Sequence, residues 1–396
     1  MIRSTCAGAR ALAAGLALLL ASACADAPGP TTLILDGARP DIQASVTDPE
    51  AQPFTVYTQN VYLGGDTGPI FSLDFSNIPA LLQATNSFWA QVKASDVPGR
   101  AAAMVDELEA RRPHVVGFLE VFRFVVVDPR NGVVHDYVDL LAAIQAEIAS
   151  RGLPYEVVRV QENTSSALPL AIDFSAGQIS RALSFTDRVV ALRRTDVEIS
   201  SSAQGTYAAR VALGPGVLKR GWVRLSVEHE GTPYHFVTTH LETQGLAPVQ
   251  AGQVAELLGS VLAGLDGVTV LAGDLNSDAA ALPGEPSWTP TYGTLLEAGF
   301  VDAWTESGGR PIAGFTCCQD PDLRNGLSTL DERIDFVMLR ASRDPSAADR
   351  TPGSIRVEIV GEEPDDRTAS GLWRADHAGL VAGLRLPRGL NAIVSR

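Results

Sequence analysis

Val268-Thr269-Val270-Leu271-Ala272-Gly273-Asp274-Leu275-Asn276-Ser277 decides how this chain is read. A short apolar run rich in β-branched residues predicts a buried strand. The run stops at Gly273, where the backbone can turn, and two polar side chains follow at Asp274 and Asn276. Residues two apart in extended chain share a face, so a carboxylate and a carboxamide point together into whatever lies beyond the strand. An Asp-x-Asn after a strand is on its own most often a turn. It gains meaning because other strands of the chain end the same way.

Working back from this stretch, Val254, Leu257, Leu258, Val261 and Leu262 mark an amphipathic helix. Before it, Tyr234 to Thr239 reads as a strand that runs out at His240, and it pairs with Trp222 to Glu228 around the turn Glu230-Gly231. His229 and His235 lie near that turn and are assigned no role. The pattern is strand, helix, strand, with His240 and Asp274 at successive exits. Further back, Phe54 to Val61 alternates as a first strand that carries Asn60 at its end, before Tyr62-Leu63-Gly64-Gly65. Val105 and Leu108 share a helix face in a segment that starts near Gly99 and is stopped by Pro113. Val115 to Leu119 then runs directly into Glu120, a carboxylate with apolar residues on both sides, which is costly to bury without a partner.

Leu141, Ile144 and Ile148 have helical spacing, with Gly152 suited to the helix end. Tyr155 to Gln161 is expected as a strand. Residues 163–184 read as a loop forming one wall of a cleft, and Asp187-Arg188 leads into a strand at Val189 to Arg193. Downstream of Asn276 a loop holds Pro283, Pro286 and Pro290. Arg333 to Leu339 is a strand with one inward acid, Asp335, and Asp376-His377 precedes the last core strand at Gly379 to Ala382.

The first residues predict a leader. Arg3 and Arg10 precede an uncharged apolar run at Ala11 to Leu20, too short to span a bilayer. Ala21-Ser22-Ala23-Cys24 resembles a lipoprotein processing site, although Leu is commoner where Ala21 stands. Cys24 would then be the lipidated N-terminus, with ordinary cleavage nearby as the alternative. Residues 1–23 are thus expected as a signal peptide, 24–52 as a Pro- and Ala-rich tether, and 53–396 as a single domain. The protein would be exported, either anchored as a periplasmic or cell-surface lipoprotein or secreted.

Cleavage before Cys24 removes Arg3 and Arg10 and no acid, which takes the formal charge from −15 to −17. So acidic a surface does not attract polyanions by general electrostatics, and phosphate chemistry would need a local site that holds a cation. Beyond Cys6 and Cys24, Cys317 and Cys318 remain. Adjacent in sequence, they form either a vicinal disulfide or two neighbouring thiols. They are a poor metal signal without a second pair.

Six segments contribute polar residues at strand edges: Asn60, Glu120, His240, Asp274 with Asn276, Asp335, and Asp376 with His377. Each alone has an ordinary structural explanation. Together they offer oxygen ligands for a hard divalent cation and two imidazoles, the inventory of metal-assisted phosphoester hydrolysis. Zinc is disfavoured, because neither a thiolate set nor clustered histidines are present.

The order Gln-Asn-Val, Gly-Phe-Leu-Glu, Thr-His-Leu, Gly-Asp-Leu-Asn, Arg-Ile-Asp-Phe and Asp-His resembles the endonuclease/exonuclease/phosphatase superfamily, from about Phe54 to Leu384. The resemblance implies an α+β fold, a four-layer α/β/β/α sandwich of two packed mixed β-sheets flanked by helices. It implies Glu120 as principal ligand of Mg²⁺ (or Mn²⁺), supported by Asn60 and Asp376. His377 would act as the base or orient the attacking water, and Asp335 would hold its imidazole. Asp274 and Asn276 would position water and phosphate, and His240 would donate to the phosphate. Leu119 stands where the family usually has Gln, and His114 where an Asp is common; neither position is expected to touch the metal. Thr186-Asp187-Arg188 and Arg220-Gly221-Trp222 resemble parts of secreted bacterial members, with Arg188 expected in a structural ion pair.

The substrate implied is a phosphoester: nucleic acid, a phospholipid or sphingolipid headgroup, or a small phosphodiester. A nuclease would want a basic groove. A headgroup diesterase would want exposed aromatics, for which Phe71, Phe75, Trp89 and Trp288 are candidates, each read first as a core residue. A non-catalytic binding protein on the same scaffold is the alternative from another class, and would be expected to have lost some of these residues. The sequence indicates no protein partner.

Overall fold

Alternation of apolar and polar residues places one face of each of two sheets inward, and the computed structural model shows those faces packed on each other. It describes residues 53–213, 216–229, 232–310, 313–340 and 354–385. The expected leader, Cys24, the tether to residue 52 and the turn Glu230-Gly231 lie outside the described residues. The described residues fall within one unit, Ala44–Arg396.

In chain order the first strands are β1 (Phe54–Asn60), β2 (Val115–Leu119), β3 (Arg123–Val127), β4 (Val134–Asp139), β5 (Tyr155–Asp173) and β6 (Gln178–Arg194). They are followed by β7 (Glu198–Thr206), β8 (Val211–Leu213), β9 (Gly216–Leu218), β10 (Gly221–His229) and β11 (Thr232–His240). The last are β12 (Val268–Asp274), β13 (Val301–Asp302), β14 (Asp335–Arg340), β15 (Ser354–Val360) and β16 (Gly379–Arg385). The helices are α1 (Gly68–Phe71), α2 (Ile78–Ala94), α3 (Val97–Arg111), α4 (Leu140–Ser150), α5 (Ala247–Glu256), α6 (Thr291–Glu297) and α7 (Ala303–Glu306).

One sheet runs β15-β16-β1-β2-β6-β3-β4, with β5 also paired to β6; the other runs β13-β14-β12-β11-β10-β7. Both are mixed. β1 and β2 are parallel in the first, β11 and β12 in the second, and the other pairings are antiparallel. Between the sheets, Phe54, Val115, Leu119 and Val189 meet Leu225, Phe236, Val270 and Val337 in one apolar cluster. A second cluster joins Trp89, Met104, Leu108 and Ile144, from α2, α3 and α4, to the outer face of the first sheet. A third joins Val254, Leu257 and Leu295, from α5 and its neighbours, to the outer face of the second. The result is the four-layer sandwich expected from the sequence.

The sheets come close at Gly117, where a Cβ would run into the Thr238 hydroxyl across the interface. Register then fixes what happens at one edge. Asn60 is opposite Leu119, so β1 and β2 end together beside Glu120. His240 is opposite Asp274, and Asp274 is opposite Asp335. Parallel pairs end level, and the antiparallel β14 begins where they end.

Several boundaries differ from the sequence reading. The helix expected from Gly99 starts at Val97 and is capped by Asp96, whose carboxylate accepts from the Gly99 amide. Residues 163–184 are not a loop. They form most of a long hairpin, β5 with β6, bulged between Glu162 and Ser165 and again near Pro169. Much of that hairpin is exposed, so no apolar face stamps an alternating pattern on it, and the bulges break what alternation remains. The edge strand β7 is likewise almost wholly polar. Of the four aromatics, Trp89 is buried and Phe75 half-buried, but Phe71 and Trp288 are exposed rather than in the core. Phe71 ends the short helix α1 and Trp288 lies just before α6, both outside the sheets.

Candidate active site

The eight polar residues singled out above are brought to one edge of the sandwich. The link between the sheets is a hydrogen bond: the Asn60 amide donates to Asp274 Oδ2 at 3.0 Å. Its other atom, Oδ1, accepts from the Tyr62 amide at 3.0 Å, which orients the side chain without rotational freedom. Asp274 stands at the end of β12 because Gly273 precedes it with φ +142°, and a Cβ there would meet the Thr239 carbonyl. The expected turn at Gly273 is instead a position inside β12, paired opposite Thr239, that only glycine fits. Asp274 Oδ1 accepts from the Asn276 amide at 2.9 Å. Asn276 has φ +48° and Glu120 has φ +58°. Left-handed backbone is tolerable for Asn and costly for Glu, so Glu120 is held by its surroundings rather than by preference.

Asp335 Oδ2 lies 2.8 Å from Nδ1 of His377, the shortest polar contact between the carboxylates and imidazoles of the site. The second oxygen of Asp335 is buried and has no hydrogen-bond partner. Burial pulls the affinity of His377 for a proton down, but Asp335 and Asp376 overcome it and hold the imidazole well above its ordinary value. The backbone carbonyl of His377 accepts from Gln59 at 2.9 Å, fixing this segment to β1.

Glu120 accepts from the Leu63 amide at 3.0 Å and comes within 3.9 Å of His240. Burial, then the charges of Asp376 and Asp187, push its proton affinity up. Asp274 is raised in the same way by burial and by Asp335, and Asp376 by burial. Asp376 Oδ1 also has no partner. Three acids whose proton affinity is raised, first by burial and then by neighbouring carboxylates, stand beside the orphaned buried oxygens of Asp335 and Asp376, a set that a divalent cation would satisfy. The donors are oxygens, which suits a hard cation.

His240 is buried and lies 3.4 Å from Asp274 Oδ2 and 3.0 Å from the Asn276 amide nitrogen. Arg220 approaches its Nδ1 at 3.0 Å and pairs with Glu242 at 3.1 Å. Burial, then the Arg220 charge, hold His240 well below its ordinary value, so this imidazole is neutral. The two histidines therefore differ in charge: His377 is poised to carry a proton and His240 is not.

Sequence reasoning passed over three supporting residues. Arg100, on α3, is fully buried and donates to the Val61 and Tyr62 carbonyls, to Arg374 O at 2.8 Å and to Ser95 Oγ at 3.1 Å. It ties the segment after Asn60 to the one before Asp376. An arginine in a helical repeat reads as solvent-facing, and no local signal marks this one as buried. Arg220 immediately precedes β10, whose hairpin partner β11 ends at His240, and this adjacency is the signal that places it beside the imidazole. Asp187 is buried, accepts from Asn163 at 3.0 Å and sits close enough to Glu120 to raise it. Arg188 makes the structural contacts expected of it, an ion pair with Asp139 and bonds to the Val121 and Phe122 carbonyls. Cys317 and Cys318 form a disulfide beside His377.

No protein-family model and no curated protein matches the chain. Solved structures do. An endonuclease/exonuclease/phosphatase from Beutenbergia cavernae is 20% identical with a TM-score of 0.51, over 85% of this chain and 72% of that one. An endonuclease/exonuclease/phosphatase family protein from Leptotrichia buccalis is 13% identical with a TM-score of 0.48, over 84% and 99%. TDP2 from D. rerio, solved with a single-strand DNA product, is 16% identical with a TM-score of 0.47, over 84% and 98%.

Proposed function

We propose that this chain, which has the fold of the endonuclease/exonuclease/phosphatase proteins, is a metal-dependent phosphoester hydrolase acting on small or headgroup phosphodiesters. The observation that carries the reading is the Asp335–His377 pair at 2.8 Å, at the same edge as the acids Glu120, Asp274 and Asp376. Glu120, with Asn60 and Asp376 beside it, would hold Mg²⁺ or Mn²⁺. Such an ion would offset negative charge on the phosphate and on the departing oxygen.

The remaining chemistry falls to the chain's own side chains. Asp335 accepts from Nδ1–H of His377 and leaves Nε2 outside that bond, from where the ring orients the attacking water, or takes its proton when the imidazole is neutral. Asp335 also stabilises the imidazolium that forms. Asp274 and Asn276 hold the water and a phosphate oxygen in line, and neutral His240 supplies a donor to the phosphate without adding a fixed charge that would bind product. Arg220, held by Glu242, keeps the His240 ring oriented.

Two observations favour a small or headgroup diester over nucleic acid. The chain is strongly acidic, with a formal charge of −15. The exposed Phe71 and Trp288 stand on the connections that follow Asn60 and Asn276. The leader expected from the sequence and lipidation of Cys24 would make this an exported protein held at a membrane, where a headgroup substrate would be met.

Release of product from DNA, RNA, sphingomyelin and a chromogenic phosphodiester, with and without Mg²⁺, tests the reading. Hydrolysis of the chromogenic or headgroup diester only with the cation is expected, and its loss in Glu120→Gln and His377→Ala proteins that remain folded. Wild-type rates in either variant would show that the site is assigned wrongly.

A further inference from the structure

The segment Thr316 to Gln319 is threaded between the two stretches that carry the Asp335–His377 pair. On one side the Gln319 amide donates to the Asp376 carbonyl and the Ala378 amide to the Thr316 carbonyl, each at 2.8 Å. On the other side the Thr316 and Cys317 amides donate to the Glu332 carbonyl at 2.8 and 3.0 Å. The Thr316 hydroxyl oxygen accepts from the Ile334 and Asp335 amides at 3.2 and 3.1 Å. Cys317 is buried, Cys318 is exposed, and their sulfurs are joined. The Cys318 sulfur lies 3.9 Å from Nε2 of His377, the ring nitrogen turned away from Asp335. Ligand atoms of Cys317, Cys318 and His377 all fall within 4.8 Å of one another.

We propose that Cys317–Cys318 is a thiol–disulfide exchange site that gates His377, and that it reacts with a protein or small-molecule dithiol. The gating rests on the reading of His377 as the group that handles the proton of the attacking water. The accessible sulfur is Cys318. A thiolate of the dithiol attacks it and the Cys317–Cys318 bond breaks. The electron pair leaves on Cys317 sulfur, which takes up a proton, and a mixed disulfide forms on Cys318. The second thiol of the reductant then displaces Cys318 and leaves as its own disulfide. Two electrons and two protons have entered the protein.

The two states present different chemistry to the imidazole. A disulfide sulfur has no proton to donate and accepts weakly, so in the oxidised protein Nε2 is left to water and substrate. A free Cys318 is a hydrogen-bonding partner as thiol or thiolate, at the nitrogen that catalysis needs. Its segment is stitched by backbone bonds to Glu332 on one side and to Asp376 and Ala378, the neighbours of His377, on the other, and by the Thr316 hydroxyl to the Asp335 amide, so the sulfur stays near the ring when the bond to Cys317 opens. Oxidised protein is therefore the active form and reduced protein the restrained one.

The test uses the full chain, with dithiothreitol as the dithiol and the chromogenic phosphodiester with Mg²⁺ as substrate. Alkylation followed by peptide mass analysis scores Cys317 and Cys318 as blocked before reduction and both as free after it. Reduction is expected to lower kcat about tenfold with little change in KM, and reoxidation to restore it. Cys318→Ala should retain the oxidised rate in either buffer. Cys317→Ala, which leaves a permanent thiol at Cys318, should be slow in both; because Cys317 is buried, the wild-type comparison and Cys318→Ala decide the matter if that variant does not fold. A disulfide that dithiothreitol cannot open in the folded protein would overturn the proposal, as would unchanged turnover after both sulfurs are freed, or a Cys318→Ala protein that still responds. If no form hydrolyses any diester, the reading of the site fails instead. The imidazole ¹⁵N shift of His377 then decides the coupling: it should move on reduction in the wild type and stay put in Cys318→Ala, and a shift that ignores the sulfurs sinks the gate.

Discussion

At the scale of single residues, the site works by giving chemically similar groups different surroundings. His377 is held protonatable by Asp335 and Asp376, and His240 is held neutral by burial and Arg220. Replacing Asp335 with Asn keeps the shape but removes the charge that orients and stabilises the imidazolium. Turnover should fall on the order of a thousandfold with KM nearly unchanged, measured by steady-state kinetics on a chromogenic diester. A third histidine affects stability rather than catalysis. Burial lowers His114 from 6.5 to about 3, and its Nδ1 accepts from the Thr55 amide. Below about pH 6.5 the unfolded chain takes up a proton that the folded chain refuses, so this group costs stability as pH falls towards 3, by at most about 1.4 kcal/mol per pH unit. Urea midpoints of His114→Gln should therefore drop less than those of the wild type between pH 6.5 and 4.5; parallel curves would refute it. The acids of the candidate site were legible in the sequence because each stands at or near the end or the start of an apolar strand, which leaves it nowhere to go but the edge. Arg100 was not, because its four carbonyl and hydroxyl partners come from segments far apart in the chain.

At the scale of elements, legibility followed burial. β2, β12 and β14 are buried along their length and announce themselves as apolar runs. β5, β6 and β7 owe their form to pairing rather than to a covered face, and their sequences carry little of it. Where two elements touch, a small change should be felt strongly. Gly117→Ala pushes a methyl group from β2 into Thr238 of β11. The two sheets would have to separate locally, and a loss of about 2 kcal/mol in chemical denaturation is expected. Replacing Arg100 by Met should cost more, about 3 kcal/mol or beyond, because three backbone carbonyls lose a charged donor in a buried place. A variant as stable as the wild type would show that the arginine is not the tie between the Asn60 and Asp376 segments.

For the molecule as a whole, the four-layer sandwich packs two sheets face to face so that strand ends from both open on one edge. That arrangement concentrates negative charge, and folding has to hold Glu120, Asp274, Asp335 and Asp376 together. A bound divalent cation should therefore stabilise the protein as well as serve its chemistry. At about a hundredfold excess over the dissociation constant, Mg²⁺ should add about 2.7 kcal/mol to unfolding free energy, read as a rise in Tm. Removing the ion with a chelator should reverse the rise, and Glu120→Gln should blunt it. An unchanged Tm in the wild type would argue against a cation among these acids. The expected layering came from the resemblance that the ordered motifs carry, whereas the long hairpin, whose conformation is set by pairing partners, has no such motif.

The placement of β1 has a consequence for biosynthesis. This strand lies between β2 and β16, the last strand described, and Gln59 reaches the His377 carbonyl across 318 positions. A nascent chain still on the ribosome has made Asn60 and Glu120 but not Asp376, His377 or the strand that completes the sheet around them. The proposed site is thus incomplete throughout synthesis and comes together only when the tail end closes against the beginning.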